Sequence, residues 1–387
     1  MPTETQKFDP NSLRIAIVHD WLVTYGGAER VLEQLLLLFP QADLFTLCDF
    51  LPAADRGFLQ GRTITTSVIQ KLPRAGNWYR RYLPVMPYAI EQFDLGGYDL
   101  VISSSHAVAH GVLTNSDQLH LSYFNNTMVY VWDLYHHYLR GAGLHRGLGG
   151  LIARPLLHYV RTWDAATAPR VDRYIANSKH MQRRIRKVYG RESQVIYPPV
   201  DTERFAVWTN KEDYYIVVSR LVPFKRIDLV VEAFQRMPTR RLMVVGDGPE
   251  LSRLKSRASS NVEFVGFRPA GEVHDRVKRA RAFLFPSVEP FGIAVVEALA
   301  SGTPVIAYAG GAALEIVSEG RGGTFFREQT PQAMVQAIER FEQAKKSLDA
   351  RTVHETAEQF SVSRFRNQFR RMVENELVLF RSRDQAP

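Results

Sequence analysis

Cysteine is almost absent from this chain of 387 residues, with Cys48 standing alone. One thiol excludes an internal disulfide framework and a thiolate metal cluster, and it fits a reducing compartment. Also missing is any run near the roughly 20 apolar residues that cross a bilayer; the block LLLLF at 35–39 reads as part of a helix about three turns long. The polar start MPTETQKFDPNS has no apolar leader core, which predicts a cytoplasmic protein. No Cys/His zinc spacing, aromatic RNA-binding motif or GxGxxG fingerprint occurs. A nucleic-acid partner would therefore rest on charge alone, and none is expected; a nicotinamide dehydrogenase is disfavoured.

Hydrophobic residues make up 45% and charged residues 23% of the chain, enough to bury ordinary cores in two domains. The net charge of +9 points to anionic partners. Short apolar runs alternate with helical patterns throughout: RIAIVH, DLFTL, DLVISSS, HLSYF and DRYIANS in the first half, then YYIVVS, RLMVVG, VEFVG, AFLFPS and PVIAYA in the second. Apolar strands separated by 10–15-residue helices predict an α/β chain of parallel sheets covered on both faces, as two Rossmann-like, doubly wound domains. In QVIYPPVD (194–201) two prolines follow a further strand and place the boundary there. The expected domains are 1–198, 199–361 and a C-terminal segment, 362–387, carrying a basic amphipathic helix that packs back on the first domain. In such sheets ligands sit at the carboxyl ends of the strands, and two facing domains would put the site in a central cleft.

In SVEPFGIAVVEALASG (287–302), Pro290 and Gly292 disfavour a helix through them, so a helix starts near Gly292 or Ile293. Glu289 then lies in a loop and Glu297 more than a turn inside the helix. Eight residues span on the order of 12 Å at 1.5 Å per residue, beyond the roughly 5–9.5 Å of a glycosidase acid–base pair. The pair suits two grips on an elongated ligand, with the amides of Phe291, Gly292 and Ile293 at the helix start open to ligand oxygens. The alternative is a solvated loop carboxylate and a surface helix carboxylate. Arg220 after a strand and Lys225 before a helix form an anion site. GDGPE (246–250) and TYGGAER (24–30) are glycine turns where Gly246 and Gly27 allow close backbone approach, the second at a helix N-terminus suited to phosphate.

Together Arg220, Lys225, GDGP, the Glu289–PFG–Glu297 segment and YGGAER resemble retaining glycosyltransferase family 4, enzymes of the GT-B type, over residues 13–380. The resemblance implies that Arg220 and Lys225 neutralise a departing sugar-nucleotide diphosphate, so that no metal or other cofactor is required. It implies that Glu289 and the 291–293 amides hold the transferred hexose, that Glu297 holds the ribose, and that the backbone at Val265–Phe267 meets the base. Relatives often read HTPMRYVWD where this chain reads NNTMVYVWD (125–133). Asn125 thus stands at a histidine position over the sugar and Val129 at an arginine position. Asparagine bonds a hydroxyl but does not titrate near neutrality. His106 and His110, after another strand, are candidates to compensate on the acceptor side.

The mixed basic, aromatic and aliphatic stretches 78–93 and 138–163 predict contact with an anionic membrane surface, the alternative being a mobile acceptor loop followed by a core helix. The expected function is transfer of a hexose, first mannose from GDP-mannose, to a lipid-linked or glycan acceptor at the inner face of the membrane, in surface polysaccharide synthesis. The alternatives are a UDP-hexose donor and a non-catalytic subunit that binds nucleotide sugar or glycan.

Overall fold

The computed structural model describes residues 13–344 and 348–383; the polar start of the chain lies outside them. The chain divides into two units, one of Met1–Tyr197 with Phe365–Pro387 and one of Pro198–Arg364.

The first unit holds a parallel seven-stranded sheet in the order β3-β2-β1-β4-β5-β6-β7. Its strands are β1 (Ile15–His19), β2 (Asp43–Thr46), β3 (Ile64–Thr66), β4 (Leu100–Ser105), β5 (Leu119–Phe124), β6 (Arg173–Ala176) and β7 (Ser193–Val195). All residues of β1, β4 and β5 are buried, as expected where helices cover both faces. The serines of LVISSS do not break β4: Ser103 donates to Ser122 Oγ at 2.8 Å and sits 2.9 Å from His120 Nε2. The second unit holds a parallel six-stranded sheet in the order β10-β9-β8-β11-β12-β13. Its strands are β8 (Tyr214–Val218), β9 (Arg241–Val245), β10 (Val262–Gly266), β11 (Ala282–Phe285), β12 (Val305–Tyr308) and β13 (Gly323–Phe326). Both sheets are Rossmann-like. The strand order reverses between β1 and β4 in the first and between β8 and β11 in the second, which marks a switch point in each.

Two strands, β3 and β13, go beyond the sequence expectation. Each is short and forms a sheet edge; β3 is little buried, so little apolar patterning is required of it, whereas β13 is largely buried but only four residues long and begins on a glycine. Thr330 caps the helix Pro331–Ala344 as its sequence indicates, accepting the Ala333 amide at 3.2 Å. The last helix, Val362–Arg383, buries Phe365, Phe369, Met372, Val373 and Leu377 in the core of the first unit with Leu32, Leu35 and Tyr123. It is therefore a structural element of that unit. Phe369→Ala is expected to cost about 3–5 kcal/mol by cavity formation, whereas Leu379→Ala, half exposed on the same helix, should change stability by less than about 0.5 kcal/mol. Urea unfolding of the two variants checks the difference.

Candidate active site

In the second unit the loops leaving β8, β9 and β10 are packed backbone to backbone. A Cβ on Gly246 (φ +129°) would stand 1.9 Å from the Ser219 carbonyl oxygen, and one on Gly248 2.3 Å from that of Leu221. The Leu221 amide donates to Asp247 O at 2.8 Å and the Gly246 amide to Gly266 O at 2.9 Å. The glycine turn read from the sequence as a ligand contact thus has a steric reason of its own: it seats the loop that carries Arg220 and Lys225.

Arg220 is exposed at the end of β8. Lys225 closes a short 3₁₀ turn, and its Nζ lies 2.6 Å from Glu289 Oε1, each side chain about one-fifth exposed. Ser287, buried after β11, donates to the same oxygen at 2.6 Å. The Lys225–Glu289 pair therefore joins the loops that follow β8 and β11, across the switch point of the sheet. The helix begins at Ile293 with Gly292 as its cap, as the Pro290 and Gly292 punctuation predicts. Phe291 is buried against Phe360, so it can offer a ligand only its backbone. Glu297 has different neighbours from Glu289: its Oε2 is 3.9 Å from His274 Nε2, and the His274 ring packs on Phe205 at 4.7 Å. The two carboxylates thus sit in distinct surroundings. Phe267 follows β10 with its ring 75% exposed.

Two features of this region were not read from the sequence. One is the Lys225–Glu289 contact itself. The other is the turn at Gly310 and Gly311 after β12. Gly311 (φ +64°) approaches Glu289 so closely that a Cβ would lie 2.7 Å from its carbonyl oxygen, and the Ala312 amide donates to that oxygen at 3.1 Å. The adjacent glycines after an apolar strand were the available signal. A cavity of about 490 Å³ lies elsewhere, beside Tyr214 at the amino end of β8. Its charges are mutually paired, Arg279 with Asp275 and Glu212, and it is remote from the chemistry argued here.

The switch point of the first unit is also polar. Asp20, fully buried just after β1, accepts the backbone amides of His106, Ala107, Val108 and Ala109 at 2.5–2.9 Å. His106 Nδ1 lies 3.1 Å from its Oδ2. Burial would raise the Asp20 carboxyl, but His106, the amides and His19 outweigh it and hold it below the ordinary carboxylate range. Burial lowers the His106 pKa despite the attraction of Asp20. Trp21 packs edge-on against the His106 ring at 4.5 Å. Asp20 went unnoticed in the sequence, because a carboxylate that binds amides 86–89 residues away has no local signature.

The other acceptor-side expectations sort differently. Asn125 is half-buried and donates from Nδ2 to Ser104 Oγ at 2.9 Å. His110 is fully buried, 3.0 Å from Ser105 Oγ and 3.1 Å from Asp164, so it packs inside the unit and offers no ring to a ligand. Near Gly27, which starts its helix, the Gly26 amide is taken by Glu29 at 2.9 Å; an internal carboxylate fills part of the place foreseen for phosphate.

With its pKa below the ordinary 6.5, His106 in the folded state binds fewer protons than in the unfolded chain at mildly acid pH. The stability it lends is complete above about pH 6.5 and is lost as the pH falls through the lowered value. His106→Gln should flatten the decline of stability as the pH falls below about 6.5. Urea unfolding followed by tryptophan fluorescence, to which the first unit contributes four of five tryptophans, measures it.

Residues 25–204 match the family model described as Glycosyltransferase Family 4, and residues 200–359 that described as Glycosyl transferases group 1. The GDP-mannose-dependent alpha-(1-6)-phosphatidylinositol monomannoside mannosyltransferase of Mycolicibacterium smegmatis is 32% identical over 178 residues, 38% of this chain and 47% of that protein. The chain spans about half or less of the length of the curated relatives it matches first. Among solved structures, sucrose-phosphate synthase from Thermosynechococcus elongatus superposes with a TM-score of 0.72 at 17% identity, covering 95% of this chain and all of that one. Anabaena HepE in complex with UDP and glucose gives 0.66 at 19%, covering 94% and 99%. At these identities the structures establish the fold. Together the two models span residues 25–359, and the chain is family 4-like and has the GT-B fold.

Proposed function

We propose that the chain transfers a hexose from a nucleotide sugar to a lipid-linked or glycan acceptor in surface polysaccharide synthesis, with retention of anomeric configuration. The observation that carries the reading is the grouping of Arg220, Lys225 and Glu289 at the switch point of the second unit, beside the helix that starts at Ile293. The cations and the helix amides stabilise the diphosphate as negative charge develops on it, which is the largest available contribution to rate in such a transfer. Positive charge for the leaving group comes from these residues and not from a metal ion. Glu289, anchored by Lys225 and Ser287, orients hexose hydroxyls, and Glu297 takes the ribose. Phe267 and its neighbours face the base. The acceptor oxygen forms a bond to the anomeric carbon on the face from which the phosphate oxygen departs, and that oxygen takes the acceptor proton. No carboxylate nucleophile is needed, which suits the separate surroundings of Glu289 and Glu297.

Mannose from GDP-mannose is the first donor to test, since the Mycolicibacterium relative uses it by name; HepE binds UDP and glucose, so UDP-glucose is the second. The side chain of Asn125, engaged with Ser104 where relatives carry histidine, favours one alternative, a subunit that binds nucleotide sugar or glycan without turnover.

Lys225→Ala and Arg220→Ala should each lower turnover on the order of a hundredfold or more while leaving the unfolding midpoint in place. Near-normal rates in both would remove the site assignment. Chelation with EDTA should leave turnover unchanged; loss of activity restored by magnesium would refute the metal-independent reading. A thermal-shift series with GDP, UDP and ADP identifies the donor class, because a ligand that binds the native state raises its midpoint. Tight binding of one of them without product from any acceptor extract would establish the non-catalytic alternative.

A further inference from the structure

The stretch 138–163 does not form a core helix. Its second part is the helix Gly147–Ala166, which turns one face to the first unit through Gly150, Leu157 and Val160. The opposite face carries Leu148, Leu151, Ile152, Leu156 and Tyr159, spaced i, i+3, i+4, i+8, i+11. Leu148 is 80%, Leu151 70% and Ile152 65% exposed. A water-exposed helix face normally carries polar residues at these positions. The helix is also weak by composition, with Gly149 and Gly150 near its start and Pro155 inside it. Helices with poor intrinsic propensity are held by burial of an apolar face, and the outer apolar face here is exposed.

Charge identifies what covers it. Residues 134–163 contain no aspartate or glutamate but four arginines, of which Arg140, Arg146 and Arg154 are exposed. Residues 56–90 likewise contain no acidic residue, and Arg74, Arg80 and Arg81 are exposed there. The two stretches pack on each other, the helix lying against the turn Tyr79–Val85, near exposed Tyr88. An aliphatic ridge flanked by arginines is complementary to a lipid surface with anionic headgroups: the ridge enters the acyl boundary and the arginines reach the phosphates. A second copy of the chain on the same patch would set arginines against arginines across a two-fold axis. A nucleic acid would call for aromatic stacking where the ridge presents leucine and isoleucine.

We propose that the first unit docks on anionic bilayers through the exposed Leu148–Tyr159 face of this helix, with Arg74, Arg80, Arg81, Arg140, Arg146 and Arg154 around it. The inference gives a surface to the lipid-acceptor side of the proposed function and is independent of the donor assignment.

Flotation of the full chain with vesicles tests it, using phosphatidylcholine alone and phosphatidylcholine doped with phosphatidylglycerol. The wild type should float with the anionic vesicles and not with the neutral ones, and salt at about 1 M should weaken binding. Leu151→Glu/Ile152→Glu should lower the partition coefficient at least about tenfold, with the unfolding midpoint unchanged. Arg146→Gln and Arg154→Gln should each lower it about fivefold. If the glutamates disturb the helix, Leu151→Gln/Ile152→Gln gives the same ordering with less perturbation. Lys225→Ala should float as the wild type does, which separates this test from that of the donor site. A wild type left unbound by both vesicle types, a double variant that floats as well as the wild type, or a wild-type dimer in sedimentation velocity that the double variant dissolves would each overturn the proposal.

Discussion

Contact of backbone with backbone at the strand ends is the constraint on which the second unit's candidate site rests. Gly246 and Gly248 meet the carbonyls of Ser219 and Leu221 at distances no side chain tolerates, and Gly311 meets Glu289 in the same way. Side-chain packing leaves play of a few tenths of an ångström; backbone stacked on backbone, with amides and carbonyls paired between the loops, leaves little. Lys225 and Glu289 can therefore meet at 2.6 Å from strands that are neighbours in space and some sixty residues apart in sequence. In the proposed transfer, a pair so held would keep its geometry as a diphosphate arrives and leaves, and such preorganisation is what makes electrostatic stabilisation of a leaving group effective.

The first unit solves the corresponding problem with a side chain. At its switch point the turn after β4 presents four successive amides, and Asp20 from the end of β1 accepts them all. A carboxylate so satisfied stays ionised although it is fully buried, and His106 lies close by, partly exposed, with its pKa depressed by burial. Removing the carboxylate would strand four donors in the interior, which costs far more than the net value of the bonds. Burial, acting against the attraction of Asp20, keeps His106 a neutral hydrogen-bonding group at neutral pH.

The two units thus differ in what their strand ends offer. Cations and helix amides stand at one, an anchored carboxylate and a neutral imidazole at the other. The first suits a diphosphate and the second suits hydroxyl groups. Farther along the first unit, the helix Gly147–Ala166 shows an aliphatic face to solvent among arginines, so that the same unit carries both a polar strand-end cluster and a surface suited to lipid.

Sequence alone determined the α/β class, the central strands, the helix start at Ile293 and the Thr330 cap, because these follow from local periodicity and from what proline and glycine forbid. It also placed Glu289 in a loop and Glu297 inside the helix, because Pro290 and Gly292 disfavour a helix through them. Tertiary structure alone decided what those residues touch. The Lys225–Glu289 pair, the four amides on Asp20, the burial of His110 and the exposure of Leu148, Leu151 and Ile152 all depend on which strands and helices become neighbours. The strand order of a parallel sheet sets those neighbours through crossovers of about a dozen residues or more, and residues that meet across it, as Lys225 and Glu289 do, lie beyond any window that short-range patterning reads.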